Sequence, residues 1–257
     1  MNMSLKQKIQ NKEVTIGSWI TIGDASVAEI MLKADFDWLT IDMEHSAITL
    51  AEAQQLIRVI DLGGKTPLVR VSHNDPNVIK RVMDAGAHGV IVPMVNSKEE
   101  ALAAVNAVQY PPQGMRGVGL GRAQGYGVDF EKYQKWVRSE SVVIIQVEHI
   151  RAVESLETIL SVKGVDGFMV GPYDLSASLG VPGEFNHPEM IKALERIKTV
   201  SQKFNVASGI HVIQPEPELV LTKIKEGFKF IAFSLDSLFL AETCRRNLGS
   251  VRKHITQ

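Results

Sequence analysis

The chain has 257 residues, of which 45% are hydrophobic and 22% are charged, a composition typical of an ordinary soluble globular protein. Its 28 basic residues are balanced by 29 acidic residues, so there is no basic field that would attract nucleic acid or an anionic membrane surface. No segment approaches the roughly 18 consecutive apolar residues that a membrane span requires. We therefore expect one α/β domain over residues 1–257 that binds small molecules.

The amino-terminal segment and the cysteine content bear on location. The first 13 residues are polar and amphipathic, without the apolar core of a secretory signal peptide. Cys244 is the only cysteine, so a disulfide within the chain is impossible. Both features predict a cytoplasmic protein.

Short β-branched segments alternate with amphipathic helical patterns along the whole chain. One helical pattern ends at Gly86, as expected of a helix C-cap. Eight strand–helix pairs in about 250 residues are typical of a (β/α)8 TIM barrel, and an open, doubly wound sheet is the alternative. The predicted strands cover residues 15–20, 37–42, 67–71, 88–93, 142–148, 165–171, 206–211 and 228–234.

The first two strands are followed by polar residues. Asp24 or Ser26 is expected to cap the helix after the first strand. The second strand runs into the motif I-D-M-E-H-S, in which Asp42 can bond one imidazole nitrogen of His45, fix its tautomer and raise its basicity. This spacing makes His45 a candidate general base, whereas a solvated polar loop is the alternative.

Arg70 lies in the third predicted strand and shares a face with Leu68. A guanidinium fixed in a barrel mouth can stabilise an enolate or hold a carboxylate, and it stays charged. The alternative is a surface position on an edge strand, which a closed barrel excludes. Arg70 is therefore a candidate catalytic residue.

A glycine-rich segment separates Tyr110 from Glu140. It neither follows a strand nor opens a helix, so the fingerprint of a dinucleotide-binding site fails. We expect a mobile lid or a subunit-contact loop on the catalytic side of the barrel, with Arg116 and Arg122 available to an anionic substrate.

The fifth and sixth predicted strands each lead to a carboxylate, Glu148 and Asp174. Parallel strands joined by a helix end at the same edge of the sheet, so the two carboxylates are expected to meet. With Gln146 on the same face as Glu148, this set of oxygen donors suits Mg²⁺ or Mn²⁺. The alternative is that Glu148 begins the next helix and Asp174 caps a turn.

The remaining candidates lie after the sixth strand. The segment G-P-Y-D-L-S predicts a helical turn whose N–H groups at Tyr173 and Asp174 cradle a carboxylate. His211 ends the seventh strand and is a candidate substrate contact, although a structural histidine is as common there. No glycine-rich turn follows the last two strands, which disfavours a phosphorylated substrate. The apolar residues of the last helix predict packing on the barrel or on a partner subunit; they are Leu235, Leu238, Phe239 and Leu240.

Together these motifs resemble the HpcH/HpaI aldolase family, the metal-dependent 4-hydroxy-2-oxoheptanedioate and 2-keto-3-deoxy-sugar-acid aldolases. The matching stretches follow one another over nearly the whole chain. They are G-S-W (17–19), I-D-M-E-H (41–45), P-L-V-R (67–70), N-D-P (74–76), V-P-M-V (92–95), Y-P-P-Q-G-M-R-G-V-G (110–119), Q-V-E (146–148) and V-D-G-F-M-V-G-P-Y-D-L-S (165–176).

The resemblance implies a pyruvate-type (β/α)8 barrel with a divalent metal on Glu148 and Asp174, namely Mg²⁺, Mn²⁺ or Co²⁺, and no organic cofactor. It implies that His45 and Asp42 assist proton transfer and that Arg70 stabilises the pyruvate oxygen. It also implies a trimer of dimers in which neighbours exchange the last helix. The substrate would contact Gln146, Gly171, Pro172, Tyr173 and His211. The sequence departs from the family pattern at Tyr173, His149, His211 and residues 119–127.

The predicted reaction is the reversible cleavage of a 4-hydroxy-2-oxo acid into pyruvate and an aldehyde. The enolate that forms needs either an iminium or a metal to stabilise it. No predicted strand ends in lysine, and Lys65 and Lys229 lie at or before strand beginnings, so the metal route is favoured. The alternatives are a CoA-thioester lyase of the citrate-lyase β-like type and a barrel that binds a keto acid without catalysis.

Overall fold

The computed structural model describes residues 3–204 and 206–255, and the other five residues of the expected 1–257 domain lie outside the described residues. Eight parallel strands pair in sequence order, and β8 pairs with β1 to close a barrel. The predicted (β/α)8 barrel is confirmed, and the open sheet is excluded. The strands are β1 (Thr15–Ile20), β2 (Trp38–Asp42), β3 (Thr66–Arg70), β4 (Gly89–Val92), β5 (Val142–Val147), β6 (Gly167–Val170), β7 (Ala207–Val212) and β8 (Phe230–Leu235).

Helices connect successive strands and pack around the sheet. Asp24 caps the helix after β1 by accepting a hydrogen bond from the N–H of Ser26 at 2.8 Å. Gly86 ends a helix in the left-handed region at φ +106°, as its sequence position predicts. The helices are α1 (Leu5–Gln10), α2 (Ala25–Leu32), α3 (Leu50–Leu62), α4 (Pro76–Ala85), α5 (Lys98–Val108), α6 (Phe130–Glu140), α7 (Ile150–Glu154), α8 (Leu156–Leu160), α9 (Pro172–Ser178), α10 (Pro188–Ser201), α11 (Pro217–Lys225) and α12 (Asp236–Ile255).

Side-chain alternation along the strands divides the core into two parts. Outward-facing residues such as Leu39 and Val69 pack beneath the helices, whereas inward-facing residues such as Trp38 and Leu68 fill the barrel. Trp38 stacks on Phe230 with 4.2 Å between ring centroids. Gly17 makes room for this pair, because a Cβ there would lie 2.0 Å from the Trp38 ring. The interior is therefore a packed core, and polar chemistry is confined to its ends.

The amino-terminal end of the barrel is closed by α1, and the glycine-rich segment between α5 and α6 packs against helix ends on the same side. Lys6 of α1 reaches Asp166 at 2.6 Å, just before β6. In the glycine-rich segment, the Cβ position of Gly121 lies 2.7 Å from the carbonyl oxygen of Asp84, near the end of α4. The expectation that this segment lies on the catalytic side is wrong: it follows a helix, and helices of this fold return the chain to the end where strands begin.

The expectation that the two arginines of that segment are available to a substrate is also wrong. Arg116 is buried and bonds Asp84 at 2.5 Å and the Tyr133 hydroxyl at 3.2 Å. Arg122 bonds Asp61 at 2.5 Å. A buried guanidinium requires compensation, and here nearby acids and a phenol hydroxyl provide it.

The last helix, α12, is anchored at its first residue. The Asp236 carboxylate accepts hydrogen bonds from the N–H groups of Thr21 and Ile22, each at 2.9 Å, which ties the helix to the end of β1. Farther along, apolar residues including Leu240, Leu248 and Val251 are exposed, as is Cys244. Exchange of this helix between subunits stays a prediction. Within residues 3–204 and 206–255, no helix combines the length and the hydropathy needed to cross a bilayer.

Candidate active site

Strand register places several predicted residues at the carboxyl-terminal end of the barrel. Asp42 is in register with Arg70 on the neighbouring strand. Each has the same parity as an interior residue of its strand, Trp38 or Leu68, so both side chains point into the barrel. Gln146 has the parity of the interior residue Ile144, and Glu148 continues that face.

Arg70 and Asp42 form a two-pronged ion pair. Nε of Arg70 donates to Oδ1 of Asp42 at 2.9 Å and Nη2 donates to Oδ2 at 2.6 Å. The guanidinium carbon lies 4.4 Å from the centre of the Trp19 ring. Burial would raise the pKa of Asp42, but the bonds from Arg70 and from two backbone N–H groups outweigh it and lower that pKa. The guanidinium is thus a fixed positive charge at the barrel mouth.

The predicted bond between Asp42 and the imidazole of His45 is wrong. Oδ1 of Asp42 accepts the backbone N–H of Glu44 at 3.0 Å and that of His45 at 3.2 Å. This turn directs the imidazole outward, with 63% of the side chain exposed and Nε2 lying 3.7 Å from Oε2 of Glu44. Asp42 therefore positions the backbone of His45, and the acid that faces its ring is Glu44.

Glu44 is a site residue that the sequence reasoning missed. Its Oε2 is buried without a hydrogen-bond partner and lies 3.4 Å from Nε of Arg70. Burial raises the pKa of Glu44 to about 7; Arg70 opposes this shift, whereas the charges of Glu148, Asp42 and Asp174 add to it. The signal available in the sequence was its position two residues after Asp42, which is the same face of an extended chain.

Glu148 is buried directly after β5 with both oxygens held. Oε1 accepts the backbone N–H of Met94 at 2.7 Å, and Oε2 accepts the side-chain amide of Gln146. Met94 adopts φ +53°, in the left-handed region that non-glycine residues rarely occupy, so the backbone is strained where it binds this carboxylate. Burial raises the pKa of Glu148, and the nearby charge of Asp174 acts in the same direction.

Asp174 lies in the first turn of α9, immediately beyond β6. β6 pairs with β5, and a Cβ at Gly171 would lie 3.0 Å from Cβ of Glu148 and 3.1 Å from its Oε2. The absence of a side chain at Gly171 keeps space beside the Glu148 carboxylate. Asp174 is the third residue of α9 and not its cap, because the N-cap position belongs to Gly171.

The carboxylates at this end fit a divalent cation. Among residues 3–204 and 206–255, no three His, Cys, Asp or Glu side chains form a complete metal cage. Glu148 and Asp174 nevertheless provide two hard oxygen donors, and the side-chain oxygen of Gln146 is buried without a partner. Two carboxylates suit Mg²⁺ or Mn²⁺, which keep several water ligands. Burial is the main cause of the raised pKa of Glu148, and a cation there would favour the ionised carboxylate and offset the added repulsion from Asp174.

The other predicted contacts lie around this group. The neutral imidazole of His211 lies in the barrel mouth, 5.6 Å from the Trp19 ring, and its Nε2 donates to the carbonyl of Ser234 at 3.2 Å. Burial lowers the pKa of His211 to about 4, so the ring is uncharged at neutral pH. The Tyr173 ring is exposed and contacts Phe185 edge-on at 4.8 Å.

His149, a departure from the family pattern, has a structural role in this chain. Its Nδ1 accepts the N–H of Arg151 at 3.1 Å and caps α7. His149, and not Glu148, begins the helix, which leaves the Glu148 carboxylate to the site.

Comparisons with known proteins identify similar chains. The model of a family described as HpcH/HpaI aldolase/citrate lyase matches residues 15–242. The chain is 33% identical over 242 residues to the hydroxypyruvate/pyruvate aldolase of Roseobacter denitrificans, covering 93% of each chain. It is 37% identical to the 4-hydroxy-2-oxovalerate aldolase of Rhodococcus jostii, covering 93% of this chain and 92% of the other. A crystal structure of an HpcH/HpaI aldolase/citrate lyase family protein from Burkholderia cenocepacia superposes with a TM-score of 0.91 at 33% identity, covering 96% of this chain and 98% of the other.

Proposed function

Because the chain belongs to the HpcH/HpaI aldolase/citrate lyase family, as its motifs predicted, we propose that it is a divalent-metal-dependent aldolase that reversibly cleaves a 4-hydroxy-2-oxo acid into pyruvate and an aldehyde. Relatives that are 33% and 37% identical to this chain are named aldolases, which are carbon–carbon lyases. The chain is therefore an enzyme of the carbon–carbon lyase class. The observation that carries the finer proposal is the group of four carboxylates around one fixed guanidinium at the barrel mouth, Asp42, Glu44, Glu148 and Asp174 around Arg70.

The metal would be held by Glu148 and Asp174, with Mg²⁺, Mn²⁺ or Co²⁺ as candidates. When bound, such a cation supplies a Lewis acid that polarises a keto oxygen. Gln146 and Met94 hold the Glu148 carboxylate in one orientation through hydrogen bonds to its two oxygens. This support keeps the donor oxygens preorganised.

Arg70 stabilises the negative charge that develops on the pyruvyl oxygen. Its guanidinium is fixed by two bonds to Asp42 and rests on the Trp19 ring, so it needs little reorganisation during the reaction. Asp42 is a positioning residue in this scheme. The keto acid would lie among Gln146, Gly171, Pro172, Tyr173 and the neutral ring of His211.

His45 moves the proton. In the cleavage direction its imidazole takes the proton of the C4 hydroxyl, the C3–C4 bond breaks, and its electron pair forms the enolate of pyruvate while C4 becomes an aldehyde. Return of this proton from the imidazolium to C3 of the enolate, directly or through a water molecule, then gives pyruvate and restores the neutral ring of His45. Glu44, 3.7 Å from the imidazole, stabilises the protonated ring.

The first experiment follows exchange of the pyruvate methyl protons with deuterium by NMR, without any aldehyde. We expect exchange with added Mg²⁺, Mn²⁺ or Co²⁺ and none in EDTA. Full exchange in EDTA contradicts the metal, and absence of exchange with every metal contradicts the aldolase mechanism. A barrel that binds a keto acid without catalysis gives the latter result. A CoA-thioester lyase is distinguished by turnover of a CoA thioester in place of aldol addition.

The second experiment tests the two catalytic residues. We expect Arg70→Ala and His45→Ala each to lower kcat/KM for cleavage by about 10² to 10³-fold. Arg81→Ala and His254→Ala remove the same residue types from exposed positions and serve as controls. Circular dichroism checks folding, and Arg70→Lys, which keeps a charge opposite Asp42, replaces Arg70→Ala if that variant unfolds. Full activity in a folded variant removes that residue from the mechanism.

The proposal includes a cytoplasmic homo-oligomer, a trimer of dimers in which α12 is exchanged between neighbours. It is supported by the exposed apolar residues of α12, Leu240, Leu248, Val251 and Ile255, which a second copy would cover. Native mass spectrometry is expected to give a hexamer, and a monomer contradicts this part of the proposal.

A further inference from the structure

A cavity of about 420 Å³ opens beside the candidate active site, at the carboxyl-terminal ends of β3 and β4. It shares two residues with the site. Glu44 lines the cavity and lies 3.4 Å from Nε of Arg70, and Met94 lines it and donates its N–H to Glu148 at 2.7 Å. The cavity therefore borders the group of carboxylates around Arg70.

Resting on the proposed function, we propose that this cavity binds the aldehyde half of the substrate and selects an uncharged hydroxyaldehyde over an aldehyde that carries a carboxylate. The C4 hydroxyl of the substrate must lie within reach of His45. The carbons beyond C4 extend away from the pyruvyl portion, and the cavity begins at Glu44, whose Oε2 lies 3.7 Å from the His45 ring.

The cavity wall matches the hydrogen-bonding of hydroxyl groups. The segment after β3 contributes Ser72, His73 and Asn74. Oγ of Ser72 lies 2.9 Å from Nδ1 of His73, and the Asn74 amide donates to the carbonyl of Glu100 at 2.9 Å, which fixes this segment against α5. Hydroxyl and imidazole groups can both donate and accept, as can the hydroxyls of a polyol chain.

The charges of the wall oppose a carboxylate. Glu99 and Glu100 place two acids in the wall, and the described lining contains no lysine or arginine. Glu44 adds a third acid, but Arg70 lies beside it, so the repulsion of a carboxylate comes mainly from Glu99 and Glu100. Glu100 is fixed there because its carboxylate accepts the N–H of Asn96 at 2.5 Å. A second carboxylate beside such groups meets like charge without a partner, and binding discriminates against it.

Glyceraldehyde and tartronate semialdehyde provide a matched test, since they differ only by a terminal CH₂OH in place of a carboxylate. We expect kcat/KM for aldol addition of pyruvate to glyceraldehyde to be about tenfold or more higher than kcat/KM for its addition to tartronate semialdehyde. Glu99→Lys is expected to lower this preference about fivefold or more by placing a cation in the wall. The control is Glu131→Lys, which makes the same charge change at the same helical position, the second residue of α6 instead of α5, and is expected to keep the wild-type ratio.

A second variant, His73→Ala, tests the polar wall. We expect it to raise KM for glyceraldehyde more than KM for propanal, which has no hydroxyl groups. The inference is overturned if the wild-type enzyme uses tartronate semialdehyde as well as glyceraldehyde, if Glu99→Lys keeps the wild-type ratio, or if pyruvate exchange occurs without addition to any hydroxyaldehyde. Failure of the proposed function is recognised separately, because the wild-type enzyme would then not exchange the pyruvate methyl protons even without aldehyde.

Discussion

The two ends of the barrel both contain buried charges but arrange them differently. At the amino-terminal end, three cations each meet an acid at 2.5 to 2.6 Å, in the pairs Lys6–Asp166, Arg116–Asp84 and Arg122–Asp61. At the carboxyl-terminal end, one guanidinium faces four acids, and polar atoms of Glu44, Gln146 and Trp19 are buried without a hydrogen-bond partner. Buried polar atoms without a hydrogen-bond partner also occur at the amino-terminal end, on Arg116, Gln124 and Glu140. The two ends therefore differ in charge balance: acids and cations are paired at the first, whereas acids outnumber the cation at the second.

This difference separates stability from function. A buried charge with a partner is compensated within the chain, but buried acids that repel one another destabilise the folded state unless something else binds them. The strained backbone of Met94 lies at the same end. An excess of buried acids at one edge of a barrel indicates a binding site, so substitutions at the two ends should have different consequences.

The largest effect is expected from Glu148→Gln at the carboxyl-terminal end. We expect kcat/KM for aldol cleavage to fall about 10³-fold, which corresponds to about 4 kcal/mol of transition-state stabilisation. In EDTA, the melting temperature of Glu148→Gln is expected to equal or exceed that of the wild type. Burial raises the pKa of Glu148, so keeping this carboxylate ionised at neutral pH destabilises the metal-free fold, and glutamine removes that cost.

Glu154→Gln makes the same chemical change at an exposed position of α7 and serves as the control for this prediction. Two results would contradict this prediction: kcat/KM of Glu148→Gln within tenfold of the wild type, or a melting temperature in EDTA clearly below that of the wild type. Either would show that Glu148 serves the stability of the fold more than the reaction.

The sequence predicted the backbone of this site better than its side-chain partners. Alternation along the strands was sufficient to place Arg70 and Gln146 inside the barrel, because parity in a strand is a local property. The partner of Asp42 was not local: Arg70 lies on the next strand, and the turn after β2 gives Asp42 the backbone of His45 instead of its ring. Glu44 was missed for the same reason, since the charges of Arg70, Glu148 and Asp174 that act on it come from other parts of the chain.

Arg116→Met is expected to have its main effect on stability. Arg116 is fully buried and bonds Asp84, the Tyr133 hydroxyl and the carbonyl of Val108, so its removal leaves an acid near the interior without its cation. We expect the free energy of unfolding in urea to fall by about 3 kcal/mol. The kcat/KM per folded enzyme is expected to stay within about twofold of the wild type, because these contacts lie at the amino-terminal end.

Arg81→Met, at an exposed position of α4, controls for the loss of one positive charge. A large fall in kcat/KM with unchanged stability would show that Arg116 serves the site and that the two ends are not separable. Such an outcome would support the original expectation that Arg116 is available to the substrate. The composition of the glycine-rich segment could not show its place at the amino-terminal end, because that place depends on α5 returning the chain to this end.

The smallest effect is expected from Asp61→Asn, which removes one ion pair of the amino-terminal end. Asp61 bonds Arg122 at 2.5 Å and lies 3.2 Å from Nε2 of His88, and its side chain is 30% exposed, so we expect a loss of about 1 kcal/mol at pH 7. Burial alone would raise the pKa of Asp61, but His88 and Arg122 outweigh it and lower that pKa below 3.8. Because the pKa of Asp61 is lower in the folded state, its contribution to stability is present at pH values above the pKa of the unfolded state. The contribution is lost as the pH falls through the pKa of the folded state. The difference between wild type and variant in urea unfolding should therefore shrink as pH falls below about 4. Asp35→Asn, which removes a carboxylate that is 92% exposed, should give a smaller difference, and equal losses for the two would show that the Asp61 pair is no more than a surface contact.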